Sequence, residues 1–240
     1  MASASSKPFV SVVTPTYNRR RFIPTTIKLY EAQEYPKNRM EWIILDDGTE
    51  KVKDLFEEAS KRIPNIRYIE LQEKLLLGQK RNRLNDEAKG DIIIAWDDDD
   101  YYPPDRISHV VYKFLGNPRI ELAGSSEIYL YFYDIQKIYR AGPYGPNHAT
   151  NGTMAWRKSY LKNHRYDETV THAEERSFLD NYVNPMIQLD SLKTMLVMSH
   201  RDNTFDKAKI RDNNPMVKPT DLKLKNFIKD AKIRDFFKEG

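Results

Sequence analysis

Short apolar runs alternate with helically spaced apolar positions through the first hundred residues. Phe9 to Val13 is apolar and β-branched and stops at Pro15, which predicts a strand ending in a turn. From Phe22 to Gln33, Ile23, Ile27 and Tyr30 recur at helical spacing. Trp42 to Leu45 predicts a second strand, buried on both faces, that ends abruptly in Asp46-Asp47-Gly48-Thr49. Val52, Leu55, Phe56 and Ala59 mark the next helix, and Ile66 to Leu71 a third strand. A helix follows from Leu77 to Ala88, closed by Gly90, and Asp91 to Trp96 is the fourth and most apolar strand. Nearly continuous apolar strands separated by helices predict a parallel sheet covered on both faces. Ligands of such sheets bind beyond the carboxyl ends of the strands. Three of those ends carry Pro15-Thr16-Tyr17-Asn18, Asp46-Asp47 and Asp97 to Asp100, which are expected to open onto one crevice.

The second half is less regular. Ile107 to Leu115 has helical spacing, and the aromatic stretch 127–133 predicts a strand running on into Ile138-Tyr139. Residues 141–153 form a turn-rich loop. Residues 173–183 predict a helix with Phe178, Leu179 and Tyr182 inward, and 192–198 another strand. From Thr220 to Phe237, Leu224, Phe227, Ile228 and Ala231 share one helical face, within a tail that carries ten basic and five acidic residues from Lys207 onward. Such a tail either packs on the domain or offers a basic face to a membrane surface or partner.

Composition narrows the class. The 240 residues hold 40% hydrophobic side chains, enough for a real core, and 31% charged ones with only nine glycines, which excludes a collagenous or low-complexity chain. The absence of cysteine excludes disulfides, thiolate zinc sites and cysteine nucleophiles. No apolar run exceeds six residues, far short of the roughly 20 that span a bilayer, so the chain reads as soluble and cytoplasmic. With 39 Lys/Arg against 35 Asp/Glu the net charge is only +4, and no nucleic-acid motif is present.

Four adjacent carboxylates, Asp97 to Asp100, directly after an apolar strand are the sharpest chemical signal. They repel one another unless solvent or a cation offsets the charge. Mg²⁺ or Mn²⁺ takes one or two such oxygens and completes its shell with phosphate and water. Strand alternation would turn Asp97 and Asp99 one way and Asp98 the other, with Asp100 capping the segment near Pro103-Pro104. Asp46-Asp47 suits a ribose hydroxyl or base N–H, the partner carboxylate capping the next helix. Tyr17 offers a stacking face, and Lys80, Arg81 and Arg83 offer cations for a diphosphate. Glu174-Glu175, after Asp167-Glu168 and His172, could supply a base for an attacking hydroxyl, or simply start a helix. His200, ending an apolar strand, is a candidate metal ligand. His148 lies in the turn-rich loop, while His109 and His164 read as packing or surface residues.

Taken in order over residues 8–204, these motifs resemble the family 2-type glycosyltransferases of the GT-A fold. Val12-Val-Thr-Pro-Thr-Tyr-Asn18 is similar to the family's opening strand and loop, and Asp46-Asp47-Gly48-Thr49 to the motif that contacts uracil and ribose. Gly78 to Asn82 resembles the segment before the metal strand. Asp97-Asp98-Asp99 resembles its Asp-x-Asp, and Tyr166-Asp-Glu168 with Glu174-Glu175 its acceptor-side segment. The spelling also resembles glycosyltransferases of large DNA viruses, which would place the protein in host cytoplasm.

The resemblance implies an α/β GT-A fold in one compact domain. Residues 1–7 would be a flexible N-terminus, 8–105 a Rossmann-like nucleotide-binding half, 106–204 an acceptor-side half, and 205–240 a basic tail with an amphipathic helix. It implies inverting transfer of a sugar from a nucleoside-diphosphate sugar, UDP-linked first of all, to a glycan or glycoconjugate hydroxyl. Pro15, Thr16, Tyr17, Asp46, Asp47, Arg81, Asp97 and Asp98 would bind the donor. Asp99, Asp97 and His200 would hold Mn²⁺ or Mg²⁺, and Glu175 or Glu174 would be the base. One departure stands out: the family commonly has Asp where this chain has Glu175. The rival readings are a sugar nucleotidyltransferase, which ordinarily opens with a glycine-rich loop absent here, and a non-catalytic nucleotide- or glycan-binding domain of the same fold. A dinucleotide-binding dehydrogenase fares worse, since no Gly-x-Gly-x-x-Gly follows the first strand, and a P-loop enzyme is excluded by the same reading.

Overall fold

The computed structural model describes residues 7–170, 174–203 and 207–240. The expected flexible stretch 1–7 (apart from Lys7), His172 and the start of the basic tail at 205–206 lie outside the described residues.

The expected alternation is realised in β1 (Val10–Thr16), α1 (Ile23–Glu31), β2 (Met40–Asp46), α2 (Lys53–Ser60), β3 (Ile66–Glu70), α3 (Leu77–Glu87), β4 (Ile92–Ala95) and α4 (Arg106–Gly116). All seven residues of β2 and all four of β4 are buried, as strands covered on both faces require. There follow β5 (Leu122–Gly124), β6 (Ile128–Phe132), β7 (Lys137–Ala141), β8 (Ala155–Arg157), α5 (Glu175–Phe178), β9 (Met186–Gln188) and β10 (Leu196–Ser199). The chain closes with α6 (Lys207–Asn213), β11 (Val217–Pro219), α7 (Leu224–Phe227) and α8 (Ala231–Lys238).

The chain forms a single α/β domain around a seven-stranded sheet of order β3-β2-β1-β4-β8-β5-β9. The β3-β2-β1-β4 run is parallel throughout, and only β8 runs against its neighbours. Val12 sits opposite both Trp42 and Ile94, so β1 is an interior strand between β2 and β4. From β1 the chain builds outward to β2 and β3 on one side and to β4 on the other. That reversal splays the loops after β1 and β4 and opens a crevice between them. β1 runs through Pro15 to Thr16, one residue past the predicted stop, because pairing with β4 has already ended at Val13 and Ala95.

A second sheet, β10-β6-β7-β11, flanks the first. Here the structure departs from the sequence reading. The aromatic 127–133 stretch and Ile138-Tyr139 are two antiparallel strands, because the polar residues between them turn back through Gln136 at φ 50°. The helix expected over 173–183 is a single turn, α5, followed by a left-handed bend at residues 180–182. The loop after β4 is stitched to this sheet: Tyr101 and Leu196 exchange backbone hydrogen bonds of 3.1 and 2.9 Å, and Met198 N–H donates to Asp100 Oδ1 at 2.7 Å. Asp100 is thus a strap between the sheets, and the cap expected of it before α4 is absent. Burial pushes its carboxyl up to about 8.

The tail is two short helices rather than one. Asp230 breaks the helical run by accepting from the N–H groups of Lys232 (2.7 Å) and Ile233 (3.2 Å), which starts α8 afresh. Leu224, Phe227, Ile228 and Phe237 are buried in the main core, while Ala231 is exposed. Phe227 packs 5.4 Å from the Tyr129 ring, and its carbonyl accepts from Tyr101 Oη at 3.1 Å. Phe227→Ala is therefore expected to cost roughly 3 kcal/mol in urea unfolding, where a solvated tail would give nearly nothing. Among the described residues no helix is long and apolar enough to cross a membrane.

Candidate active site

The crevice predicted from the strand order has a volume of about 740 Å³. Its walls are Pro15 to Arg19 after β1, Lys74 to Arg81 around the start of α3, Asp97 to Asp99 after β4, and Asp202, Asn203 and Lys207 beyond β10. Asn18, at φ 53°, turns the chain at the end of β1. Its Oδ1 accepts from Glu50 N–H at 2.9 Å, and its amide donates to Thr49 Oγ1 at 3.1 Å, tying the first two strand-end loops together. The two loops pass so closely that a Cβ on Gly48 would lie 2.6 Å from Asn18 Oδ1.

Asp46 and Asp47 hold the wall of the crevice from behind. Asp46 accepts from Gly48 N–H (2.8 Å), Val52 N–H (3.1 Å) and Tyr68 Oη (2.5 Å), which fixes the entry to α2. Asp47 accepts from Lys80 Nζ at 2.6 Å and Leu75 N–H at 2.8 Å, with both side chains of the ion pair nearly sealed from solvent. Asp47→Ala is expected to cost roughly 3 kcal/mol by stranding the Lys80 charge, and the double change Asp47→Leu/Lys80→Met to recover much of it, both read from chemical denaturation. Tyr17 stands on the crevice wall, with Lys74 Nζ 4.1 Å from its ring centroid.

The chain bends at Asp98 to Asp100, so strand alternation does not apply and Asp97, Asp98 and Asp99 all border the crevice. Arg19 lies between two of them, 3.9 Å from Asp98 and 3.7 Å from Asp99. Burial pushes the carboxyls of Asp97 and Asp98 up, Asp98 strongly, with the neighbouring Asp99 charge adding to both. Burial acts on Asp99 in the same sense but is outweighed: the hydrogen bond with His200 and the charges of Lys207 and Arg19 hold it below the usual range. His200 Nε2 lies 3.1 Å from Asp99 Oδ2 and 2.7 Å from the Asn203 amide, and its ring packs 4.5 Å from Phe22. Burial pushes the imidazole down.

Across the crevice Arg81 gathers the acceptor side. Its Nε donates to Glu174 Oε1 at 2.8 Å, and its Nη2 lies 3.7 Å from Asp97 Oδ1. With its amide oxygen turned to the guanidinium, Asn151 accepts from Nη1 at 2.6 Å and donates to Tyr166 Oη at 2.7 Å. Beside it Gly152 has no room for a side chain, since a Cβ would sit 2.6 Å from Asp97 Oδ2. Burial alone would lower Arg81, but Glu174 and Asp97 hold it above its usual value. The two glutamates differ: Glu174 is buried and committed to Arg81, whereas Glu175 is half-buried, its carboxyl pushed up by burial and then by Glu174.

Sequence reasoning missed Arg19, Lys74, Asn203 and Lys207 on the crevice wall and Asn151 beneath it. Arg19 could have been found, since it directly follows the first strand-end motif. Lys207 and Asn203 gave no local signal. Of the other sequence candidates, Arg83 is exposed and paired with Glu87 at 3.3 Å, and Leu130 to Phe132 of the aromatic stretch are buried in the core. Among the described residues no group of three or more His, Asp or Glu side chains forms a ready-made metal cage.

A mostly parallel sheet, with a carboxylate-rich crevice where its strand order reverses, is consistent with a GT-A-like fold. The chain belongs to the family described as Glycosyl transferase family 2, whose profile matches residues 11–174. It is 26% identical over 229 residues to the uncharacterized glycosyltransferase MJ1057 of Methanocaldococcus jannaschii, covering 87% of this chain and 77% of that one. Staphylococcus aureus TarS 1-349 in complex with UDP-GlcNAc superposes with TM-score 0.68 at 18% identity, over 81% of this chain and 60% of that one. The mannosyltransferase PcManGT of Pyrobaculum calidifontis, in complex with GDP-Man and Mn²⁺, gives TM-score 0.66 at 14% identity, over 83% and 59%. Bacterial relatives match over about a hundred residues, and the chain spans 40% or less of each.

Proposed function

We propose that this protein moves a sugar from a nucleoside-diphosphate sugar, UDP-linked first of all, to an acceptor hydroxyl with inversion at the anomeric carbon. The observation that carries the reading is the convergence of Asp97 to Asp99 with five cations, Arg19, Lys74, Lys80, Arg81 and Lys207, on one crevice beside Tyr17. That mixture suits a diphosphate bound together with a divalent cation, and Tyr17 suits the base. TarS with UDP-GlcNAc and PcManGT with GDP-Man and Mn²⁺ lend support from the same fold.

The donor set fits Mg²⁺ or Mn²⁺. It is all carboxylate oxygen, and such a cation needs only one or two of them when phosphates complete its shell. Asp99 and Asp97 would hold it, with His200 beside Asp99, and it would supply Lewis acidity to the departing diphosphate. The protein's own residues do the rest. Arg19 and Lys207 receive negative charge on the diphosphate as the bond to the anomeric carbon breaks. Glu175 takes the acceptor proton as the hydroxyl oxygen attacks from the opposite face. Arg81 holds Glu174 and Asp97 at a fixed spacing between donor and acceptor sides. We assign donor binding to residues 8–105, acceptor binding to 106–204 and a bracing role to the tail.

The test is thermal stabilisation by UDP, GDP, dTDP and CDP, each with and without Mn²⁺. A metal-dependent rise of about 5 °C with UDP at a hundredfold excess over its Kd is expected. No rise with any nucleotide, in folded protein, would overturn the donor site.

A further inference from the structure

Directly after α5 the chain passes through Asp180, Asn181 and Tyr182 at φ 48°, 53° and 65°. Three consecutive left-handed residues, none of them glycine, are an energetically costly path that persists only where surrounding contacts hold it. Those contacts are on hand. Tyr182 N–H donates to Leu179 O at 2.9 Å, Arg176 Nε donates to Asn181 Oδ1 at 3.0 Å, and the Asn147 amide reaches Val183 O at 3.5 Å.

The bend lays the Tyr182 ring against His148, with centroids 4.9 Å apart and planes at 27°. Tyr144 continues the row at 5.0 Å from His148. The loop carrying these two is fixed from below, where the Gln188 amide donates to Pro146 O (2.8 Å) and His148 O (3.1 Å). Tyr144 is 40% exposed, and His148 and Tyr182 are half-buried, so the row is open to solvent. His148 Nδ1 is itself buried and has no hydrogen-bond partner, an unusual state for an imidazole nitrogen. Glu175 lies on the helical turn that feeds the bend, close enough for its charge to act on the Tyr182 phenol after burial has raised it.

We propose that Tyr144, His148 and Tyr182 form a stacking platform for a neutral saccharide, the acceptor whose hydroxyl is presented to Glu175. This rests on the glycosyl-transfer reading and names the substrate class of its acceptor side. Aromatic faces cover the C–H face of a sugar ring, so the rings and not the phenol hydroxyls carry the binding. Charge selects against a phosphate-bearing acceptor. Glu175 and Asp180 flank the row and outnumber the Arg176 guanidinium, whose charge also acts on the Tyr182 phenol. Holding the sugar on rigid rings converts the attack into an oriented one, which gives the strained bend a use.

The test is binding of the full chain to an immobilised array of neutral and phosphorylated glycans, with UDP-Mn²⁺ thermal shifts measured in parallel. Neutral glycans should bind, and Tyr182→Ala and the more exposed Tyr144→Ala should each weaken them by about tenfold while Tyr182→Phe stays near wild type. The UDP shift should be unchanged in all three variants. Binding of neutral glycans that survives both alanine changes, wild-type binding of phosphorylated glycans alone, or no glycan binding would overturn the platform. A wild-type protein without a UDP shift would instead overturn the donor reading, and the glycan result would still decide whether the rings bind sugar.

Discussion

Asp99→Ala is expected to abolish the Mn²⁺-dependent stabilisation by UDP and to lower kcat/KM by about 10³-fold, close to 4 kcal/mol of transition-state stabilisation. Asp99 is the crevice carboxylate on which the surroundings converge: His200 at 3.1 Å, Arg19 at 3.7 Å and the Asn203 amide at 3.5 Å. Those neighbours hold its carboxyl below the usual range although it is buried, whereas burial pushes Asp97 and Asp98 up. The fold should survive the change, because removing one of four adjacent carboxylates relieves repulsion. Wild-type thermal stability without nucleotide, together with loss of the UDP shift, is the outcome that separates a lost site from a lost fold. A UDP shift that persists in Asp99→Ala would remove this residue from the donor site.

Glu175→Gln should lower kcat by between about 10² and 10⁴ and leave the UDP shift intact, since a general base acts on the acceptor and not on the nucleotide. Its carboxyl is pushed above the usual glutamate range, first by burial and then by Glu174. A base works only when deprotonated, so activity should rise with pH along an acid limb that lies above the ordinary glutamate value, and Glu175→Gln should erase that limb. Glu174 predicts a different signature. Removing it strands Arg81, which it binds at 2.8 Å in a nearly sealed site, so Glu174→Ala should cost roughly 3 kcal/mol in stability. If Glu174→Gln abolishes the acid limb while Glu175→Gln keeps it, the roles are reversed and the Arg81 pair is catalytic.

Glu175 stands at the start of a single helical turn, where Glu174 is occupied by Arg81 and Glu175 is not tied to it. The tail makes a parallel point. Its apolar face reads like a surface-seeking helix, yet Leu224, Phe227, Ile228 and Phe237 are spent on the domain's own core. Phe236 then packs 5.8 Å from Phe22, the ring that backs His200. The tail therefore braces the strand-end loops from behind.

What the sequence determined by itself was whatever a few adjacent residues encode. Continuous apolar runs at 42–45 and 92–96 announce strands buried on both faces, and polar clusters directly after them announce loops on one edge of the sheet. Those two local facts place Tyr17 and Asp97 to Asp99 on a common crevice before any coordinate is known. Tertiary structure alone decided how the charges pair, because pairing depends on residues far apart in the chain. Arg81 meets Glu174 across 93 positions and His200 meets Asp99 across 101, and no local pattern carries that information. It also decided that Asp46 and Asp47 brace the wall, that Asp100 is a strap, and that an expected three-turn helix is one turn and a left-handed bend. In each case a long-range contact outweighed a local preference of a few tenths to about one kcal/mol per residue.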